Sequence, residues 1–434
     1  MNKITFAMAP AALLLVAQTA VADVSNFGFH GYFRSGMGSS DKGGDQVCFG
    51  LPGVSKYRFG NECSSYGELQ LSADVAKIKD GPTFNYTLML GYYTNNSNSS
   101  VAGGSEPIGI DARQNFVSVT GVGEGALKNA NFWMGRRYYQ RHDVHINDFF
   151  YWSQRGVGAG VENLAVGPGK LHLAFLRSYN DTTSGAGGNG AGNTGNSLDI
   201  RYSDLPVNPD GKLEFGIDLR SADRTKIAGN AHVKDGFLAT VEHTQSNILG
   251  GYNKLALQYG RDAGANLATN DPGSFNFTTT GLKAWRVVEQ LVIQPSNRFS
   301  AMGTFIYEDS ELAANSSRKW TSIGVRPMWH WAEYWSSAFE LGHDRVKYDK
   351  PGNVLDGKTA TLTKFTIAPL ILRPGTGFWQ RPELRLFATF AKWNENANIA
   401  ASQAGAIGNN LTGSLGYAGT TSGRTIGAQV EAWF

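Results

Sequence analysis

The chain has 434 residues and carries 39 Lys and Arg against 36 Asp and Glu, a formal net charge of +3. Both signs are spread along it without a basic block, so nucleic acid is not an expected partner. A composition of 54 Gly, only 14 Pro and 12% aromatic residues favours sheets with many tight turns over helices, and no later stretch reaches the roughly 20 apolar residues a membrane helix needs.

Residues 1–22 read as a removed signal peptide. Lys3 precedes an apolar run from Ala7 through Val16, and Ala20 and Ala22 fit a small-residue cleavage site. The run is too short for a membrane anchor. Residues 23–434 are expected to form a single β-barrel domain, with no internal boundary and no solenoid-type repeat.

In the first predicted strand Phe27, Phe29, Phe33 and Met37 share one parity, and His30, Tyr32 and Arg34 the other. Cys48 and Cys63 follow, with Gly, Pro, Ser and Asn between them. In an exported chain this predicts one disulfide closing an extracellular loop, which stabilises by about 3 kcal/mol in the chain-entropy model. Alternation resumes with Leu69 and Leu71 opposite Tyr66, Glu68 and Gln70, then with the row Phe84, Tyr86, Leu88, Leu90 and Tyr92.

The segment 135–152 is dense in Arg, His, Asp and aromatic residues and fits no strand cleanly. It is expected to be a loop folded into the lumen, where paired charges narrow the pore. His142, Asp143 and His145 match no zinc spacing, and no nucleophile motif accompanies them.

Near the end, Leu384, Leu386, Ala388 and Phe390 alternate with Glu383, Arg385 and Thr389. Ile426, Ala428, Val430, Ala432 and Phe434 alternate with Gln429, Glu431 and Trp433. Short connections such as Lys79–Pro82 trade with long glycine-rich ones, Asn180–Asn196 and Asn396–Ser422, the two-rimmed pattern of an outer-membrane barrel. At roughly 22 residues per strand and turn, the mature chain holds 16 to 20 strands, enough for an aqueous channel.

Tyr32 with Arg34, and Tyr66 with Glu68, fall on the polar face. Sugar rings stack on aromatics while their hydroxyls seek charged partners, so a carbohydrate path fits. An aromatic girdle at the membrane interface fits the same parity.

Arg137-Tyr138-Tyr139-Gln140-Arg141-His142-Asp143-Val144-His145 resembles the inward-folded third loop of the maltoporins, sugar-specific porins of Gram-negative outer membranes. The likeness extends through 29–36, 55–63, 158–163, 242–246 and 387–393. It implies an 18-stranded antiparallel transmembrane barrel, assembled as a homotrimer in outer-membrane lipid, that passes maltose and maltodextrins by passive diffusion without a cofactor. By motif, the aromatic slide is Tyr32, Tyr66, Tyr252, Trp379 and Trp433. The polar track and constriction are Arg34, Arg58, Glu68, Arg113, Arg141, Asp148 and Phe150, and the Cys48–Cys63 pair matches the family's first-loop disulfide.

Three departures from the family pattern are visible. Phe150 stands at a family tyrosine, Ser153 at a family aspartate, and no tryptophan occurs in Thr94–Ile110, where the family sends one into the neighbouring subunit. A porin for sucrose or another oligosaccharide is therefore the alternative within this architecture. From other classes, a hydrolase lacks a Gly-x-Ser-x-Gly elbow, and a secreted sugar-binding β-sandwich would be a soluble monomer.

Overall fold

A computed structural model describes residues 24–95, 109–178, 195–222, 234–267, 281–313, 315–403 and 419–434. The expected signal peptide and the expected loop tryptophan region at 96–108 lie outside these residues, as does most of the connection at 180–196.

The strands are β1 (Ser25–Ser40), β2 (Ser64–Lys77), β3 (Thr83–Asn95), β4 (Gly109–Thr120), β5 (Asn131–Val144) and β6 (Phe149–Val166), then β7 (Gly169–Ser178), β8 (Gly195–Asn208), β9 (Gly211–Ala222), β10 (Gly236–Ile248), β11 (Gly251–Arg261) and β12 (Lys283–Ser296). They continue as β13 (Phe299–Ala313), β14 (Ser316–His330), β15 (Trp335–Asp349), β16 (Thr359–Leu372), β17 (Glu383–Trp393) and β18 (Ser422–Trp433). Each pairs antiparallel with its sequence neighbours, and β1 pairs with β18 from Tyr32↔Trp433 to Ser40↔Thr425. The sheet is thus a closed 18-stranded barrel without a free edge, as a chain crossing lipid with strands requires.

The alternation seen in sequence sorts inside from outside. On β17, Leu384, Leu386 and Phe390 are exposed while Glu383, Arg385 and Thr389 are buried. An apolar exposed face around a polar interior suits a wall between lipid and a lumen. No helix among the described residues is long and apolar enough to cross a membrane.

Two expectations about connections are corrected. The segment 41–63 is not a loop extending outward. Val47, Phe49, Leu51, Tyr57 and Phe59 are buried, because the segment folds into the barrel against β14–β18. There Phe59 N–H donates to Glu340 at 3.1 Å, Lys364 Nζ to the Phe59 carbonyl at 3.0 Å, and Thr425 Oγ1 to the Val47 carbonyl at 3.0 Å. The Cys48–Cys63 disulfide closes this insert, with Cα atoms 5.9 Å apart. Asn61 ties it together from within by accepting from Phe49 N–H and donating to the Phe49 and Tyr57 carbonyls.

The segment 135–152 is a strand hairpin rather than an irregular loop. Its ladder runs from Tyr139↔Gln154 to Val144↔Phe149 around a short 3-10 turn at His145–Asn147. It does enter the lumen: Gln290 and Gln258 on the far wall donate to the Asp143 and Tyr151 carbonyls at 3.2 and 2.9 Å. The wall ladders stop at Arg136 on the β4 side and Val157 on the β7 side, so the pair departs beside Gly135 and Gly156. Both glycines have positive φ, 135° and 155°, and a Cβ on Gly156 would meet the Arg177 carbonyl at 2.7 Å. Only glycine fits that bend.

The long connection expected at Asn396–Ser422 joins β17 to β18 and carries a helix, α1 (Glu395–Gln403), packed on β16, with Ala397, Ala400 and Ala401 buried. On the opposite rim most turns are short, but residues 373–382 form a longer segment that also turns inward.

Candidate functional site: an aromatic and charged lumen

The two inserts leave two adjoining cavities in the lumen, one of about 640 Å³ and one of about 340 Å³. Arg141, Asp143, His145 and Trp433 line both, which places the junction between the hairpin tip and the wall at β18. The pore walls are fixed by strand register, so each lumenal side chain can be traced to its ladder position.

Tyr66 is the third residue of β2, near the long-connection rim, and Tyr32 on β1 is the ladder partner of Trp433 at the end of β18. The Tyr32 and Tyr66 rings are 6.1 Å apart, and those of Trp379 and Trp433 are 6.4 Å apart. Trp379 is held by the segment 373–382, and Tyr252 opens β11 on the same rim. Tyr66, Tyr32 and Trp433 line the larger cavity; Trp433, Trp379 and Tyr252 line the smaller. The five rings therefore form a row from one rim toward the other.

Beside them run the charged groups. Arg34, Arg58, Glu68, Arg113, Arg141, Asp148 and Phe150 all line the larger cavity. They are not equally available. Arg58 is buried, pairs with Glu431 at 3.1 Å and Glu62 at 3.4 Å, and donates to the Tyr32 hydroxyl. Burial opposes its charge, but Glu62, Tyr32 and Glu431 outweigh that and hold the guanidinium well above its usual pKa. Arg34 meets Glu62 at 2.5 Å and Asp148 at 3.4 Å. Burial would raise the Asp148 carboxyl, yet Arg58 and Arg34 hold it below the ordinary carboxylate range, so it stays ionised. Glu68 accepts from the Tyr66 hydroxyl at 2.5 Å. The Arg141 guanidinium lies 4.1 Å from the Tyr138 ring centroid and 5.0 Å from that of Phe150, and lines both cavities together with Asp143.

Several lumenal groups fall outside the slide and track residues expected from sequence. His145 sits at the hairpin tip against Trp379 and Trp433, at 5.3 and 5.5 Å between ring centroids. Burial and the nearby arginines push its imidazole well below 6.5 despite Glu431, which keeps it neutral. His142 contacts Glu242 at 3.1 Å, and Lys254 reaches the same carboxylate at 3.3 Å. Glu431 was visible only as one polar position of an alternating strand. Glu62 lies in the Gly- and Pro-containing segment between the cysteines, Tyr138 within the 135–152 segment, and Arg155 three residues beyond it.

The arrangement offers flat apolar rings flanked by ionic hydrogen-bonding groups in an open passage. The family described as LamB porin matches residues 27–434. Among solved structures, the Pseudomonas aeruginosa channel OpdK, determined with vanillate, shares 10% identity at a TM-score of 0.50, covering 94% of this chain and 98% of that one. Pseudomonas aeruginosa OccD3 (OpdP) shares 11% at a TM-score of 0.49, covering 96% and 93%, and Salmonella typhi OmpF shares 9% at 0.48, covering 94% and 97%. These likenesses concern the barrel fold alone.

Proposed function

The chain belongs to the LamB porin family, a Gram-negative outer-membrane barrel and a channel rather than an enzyme, and from that membership we propose that it conducts maltose and linear maltodextrins by passive, saturable diffusion. The observation that carries the reading is the row Tyr66, Tyr32, Trp433, Trp379 and Tyr252 running through both lumenal cavities beside ionised side chains. Each pyranose face stacks on a ring while its hydroxyls exchange hydrogen bonds with groups such as Asp148 and Arg141. Many weak, successive contacts permit passage where one tight site would stall it.

On this reading Tyr32, Tyr66, Tyr252, Trp379 and Trp433 form the slide, and Arg34, Arg58, Glu68, Arg113, Arg141, Asp148 and Phe150 the polar track and constriction. The protein is exported on residues 1–22 and works as a homotrimer. Single-channel current recorded with millimolar maltotriose tests the proposal. Transient, concentration-dependent block is expected, and a current indifferent to the sugar would refute it.

A second reading, a porin for sucrose or another oligosaccharide, is favoured by Phe150 and Ser153. Both line the larger cavity and offer less polar capacity than a tyrosine and an aspartate would. Swelling of protein-loaded liposomes in sucrose against maltose separates the two. Faster entry of sucrose supports the second reading, and exclusion of sucrose removes it.

A further inference from the structure

The outward face of the barrel changes character along β15. Trp335, Phe339 and Leu341 are exposed in its first half, and Arg345 and Lys347 near its end at the long-connection rim. Buried Asp344 and Val346 alternate with the two cations, which puts both cations on the lipid side of the wall. Trp335 stands with exposed Trp331 and Tyr334 at the short-turn rim, as in an aromatic girdle. From Trp335 to Arg345 the strand runs about 33 Å, or about 25 Å along the membrane normal at the usual tilt, which is the height of a barrel's apolar band. The cations therefore stand where hydrocarbon gives way to the headgroups of the outer leaflet.

Neighbouring strands extend the row at the same rim. Lys319 on β14 is the direct ladder partner of Lys347, and exposed Lys392 and Arg424 lie near the end of β17 and the start of β18. Like charges directly opposite on one face of a sheet repel each other. Some of this charge is matched. Asp309 meets Lys319 at 3.2 Å, Asp41 accepts from the Arg424 N–H at 3.3 Å, and Glu311 accepts from the Lys283 N–H at 2.9 Å. In the connections above, Asp356 and Glu395 accept from the Lys350 N–H and Asn398, both at 3.0 Å. That leaves Arg345, Lys347 and Lys392 facing one carboxylate, Asp349, which also acts on Lys319. None of the three meets a carboxylate at ion-pair distance among the described residues. Residues 404–418, in the adjoining connection, include no Asp or Glu. Beyond Asp309 the ladder row of Lys319 and Lys347 carries Trp285 and Tyr259, an aromatic girdle without cations. Below the cations the exposed rings of Phe339, Phe365 and Phe390 follow one another across β15–β17, with centroids 6.2 and 6.4 Å apart.

We propose that Arg345, Lys347 and Lys392, above the row Phe339, Phe365 and Phe390, form a binding site on the outer wall for a membrane lipid with a phosphorylated headgroup. Guanidinium and ammonium groups donate to the phosphate oxygens, and the acyl chains lie over the phenylalanine rings. The anionic headgroup also relieves the repulsion between Lys319 and Lys347. The site is independent of the solute that the lumen passes.

Titration of the purified full-length channel in detergent with diphosphoryl lipid A, read by native mass spectrometry, tests the site. The channel should bind this lipid at lower concentration than the same lipid stripped of its phosphates, and rising NaCl should weaken the binding. The triple variant Arg345→Gln, Lys347→Gln, Lys392→Gln should raise the half-saturating concentration about a hundred-fold, from about a five-fold loss for each cation at a headgroup surface. All three side chains project from the outside of the wall, so open-channel conductance should be unchanged and shows that the variant is folded. Equal affinity for the phosphorylated and the stripped lipid, or wild-type affinity in the triple variant, would overturn the proposal. So would displacement of the lipid by inorganic phosphate at matched ionic strength, which assigns the cations to the free anion. Loss of the channel's oligomer in the triple variant would overturn it as well, because the face would then be a contact between copies of the chain.

Discussion

Tyr57→Ala is expected to loosen the constriction without opening the barrel. The Tyr57 ring is 2% exposed and lies flat across Gly324 and Gly342, ladder partners on β14 and β15. A Cβ on either glycine would collide with the ring, so the wall here is shaped to receive it. Its hydroxyl shares a 2.9 Å hydrogen bond with Ser322. Truncating a buried aromatic to alanine costs about 3–5 kcal/mol, and the lost hydroxyl bond accounts for about 1 kcal/mol of that. A loss of about 4 kcal/mol shifts the docked to undocked ratio of the insert by about three orders of magnitude. Arg58, the next residue, then no longer holds its guanidinium between Glu62, Glu431 and Tyr32. Single-channel recording should show noisier current and a several-fold weaker block by maltotriose, and limited proteolysis of the native protein should cut within 41–63. Gly324→Ala should act alike by expelling the ring, while Tyr57→Phe should cost only about 1 kcal/mol. Wild-type noise, block and protease resistance in Tyr57→Ala would show that this ring does not hold the insert.

Tyr66→Ala and Trp379→Ala should each weaken sugar block by about 2-fold to 10-fold, the scale of one aromatic contact, with open-channel current retained; unchanged affinity in both removes them from the slide. The neutral His145 gives a pH expectation. Its folded pKa lies well below 6.5, so the unfolded chain binds the extra proton first, and stability is full above pH 6.5 and falls as the pH drops below it. Thermal midpoints should decline below that pH, and a His145→Gln variant should lose part of the decline. Replacing Cys48 and Cys63 by serine should cost up to about 3 kcal/mol of the insert's stability, read as faster proteolysis of 46–63 rather than as loss of the barrel. Ser153→Asp together with Phe150→Tyr should strengthen block by maltotriose relative to sucrose, and an unchanged ratio would clear these two positions of a role in selectivity.

The barrel was legible because period-two alternation survives wherever a strand has lipid on one face and the lumen on the other. β17 shows this from Leu384 to Phe390, and β18 from Ile426 to Trp433. The inserts were harder for the same reason. The hairpin at 137–156 has protein or lumen on both faces, so its strands carry charges and rings on both parities and lose the signal. In the segment 41–63, Gly, Pro and Asn pointed outward, although Val47, Phe49, Leu51, Tyr57 and Phe59 in the same stretch are the groups that bury it. Parity placed Tyr32, Tyr66 and Trp433 inward, but Tyr252 and Trp379 were reachable only through resemblance. Trp379 belongs to a turn that folds back into the lumen, a tertiary feature without a local pattern. Of the partners of Arg58, Glu431 lies far away in sequence and looks like an ordinary polar position of a strand, while Glu62 is four residues on in a segment without a strand or helix pattern, so the locking of Arg58 emerges only in three dimensions.

The central claim, that a solute is passed from ring to ring along the lumen, is tested most directly by block with glucose, maltose and successively longer maltodextrins. The half-blocking concentration should fall with each added glucose until the row from Tyr66 to Tyr252 is filled, then level off. A half-blocking concentration independent of chain length, or no block by any member of the series, would contradict it.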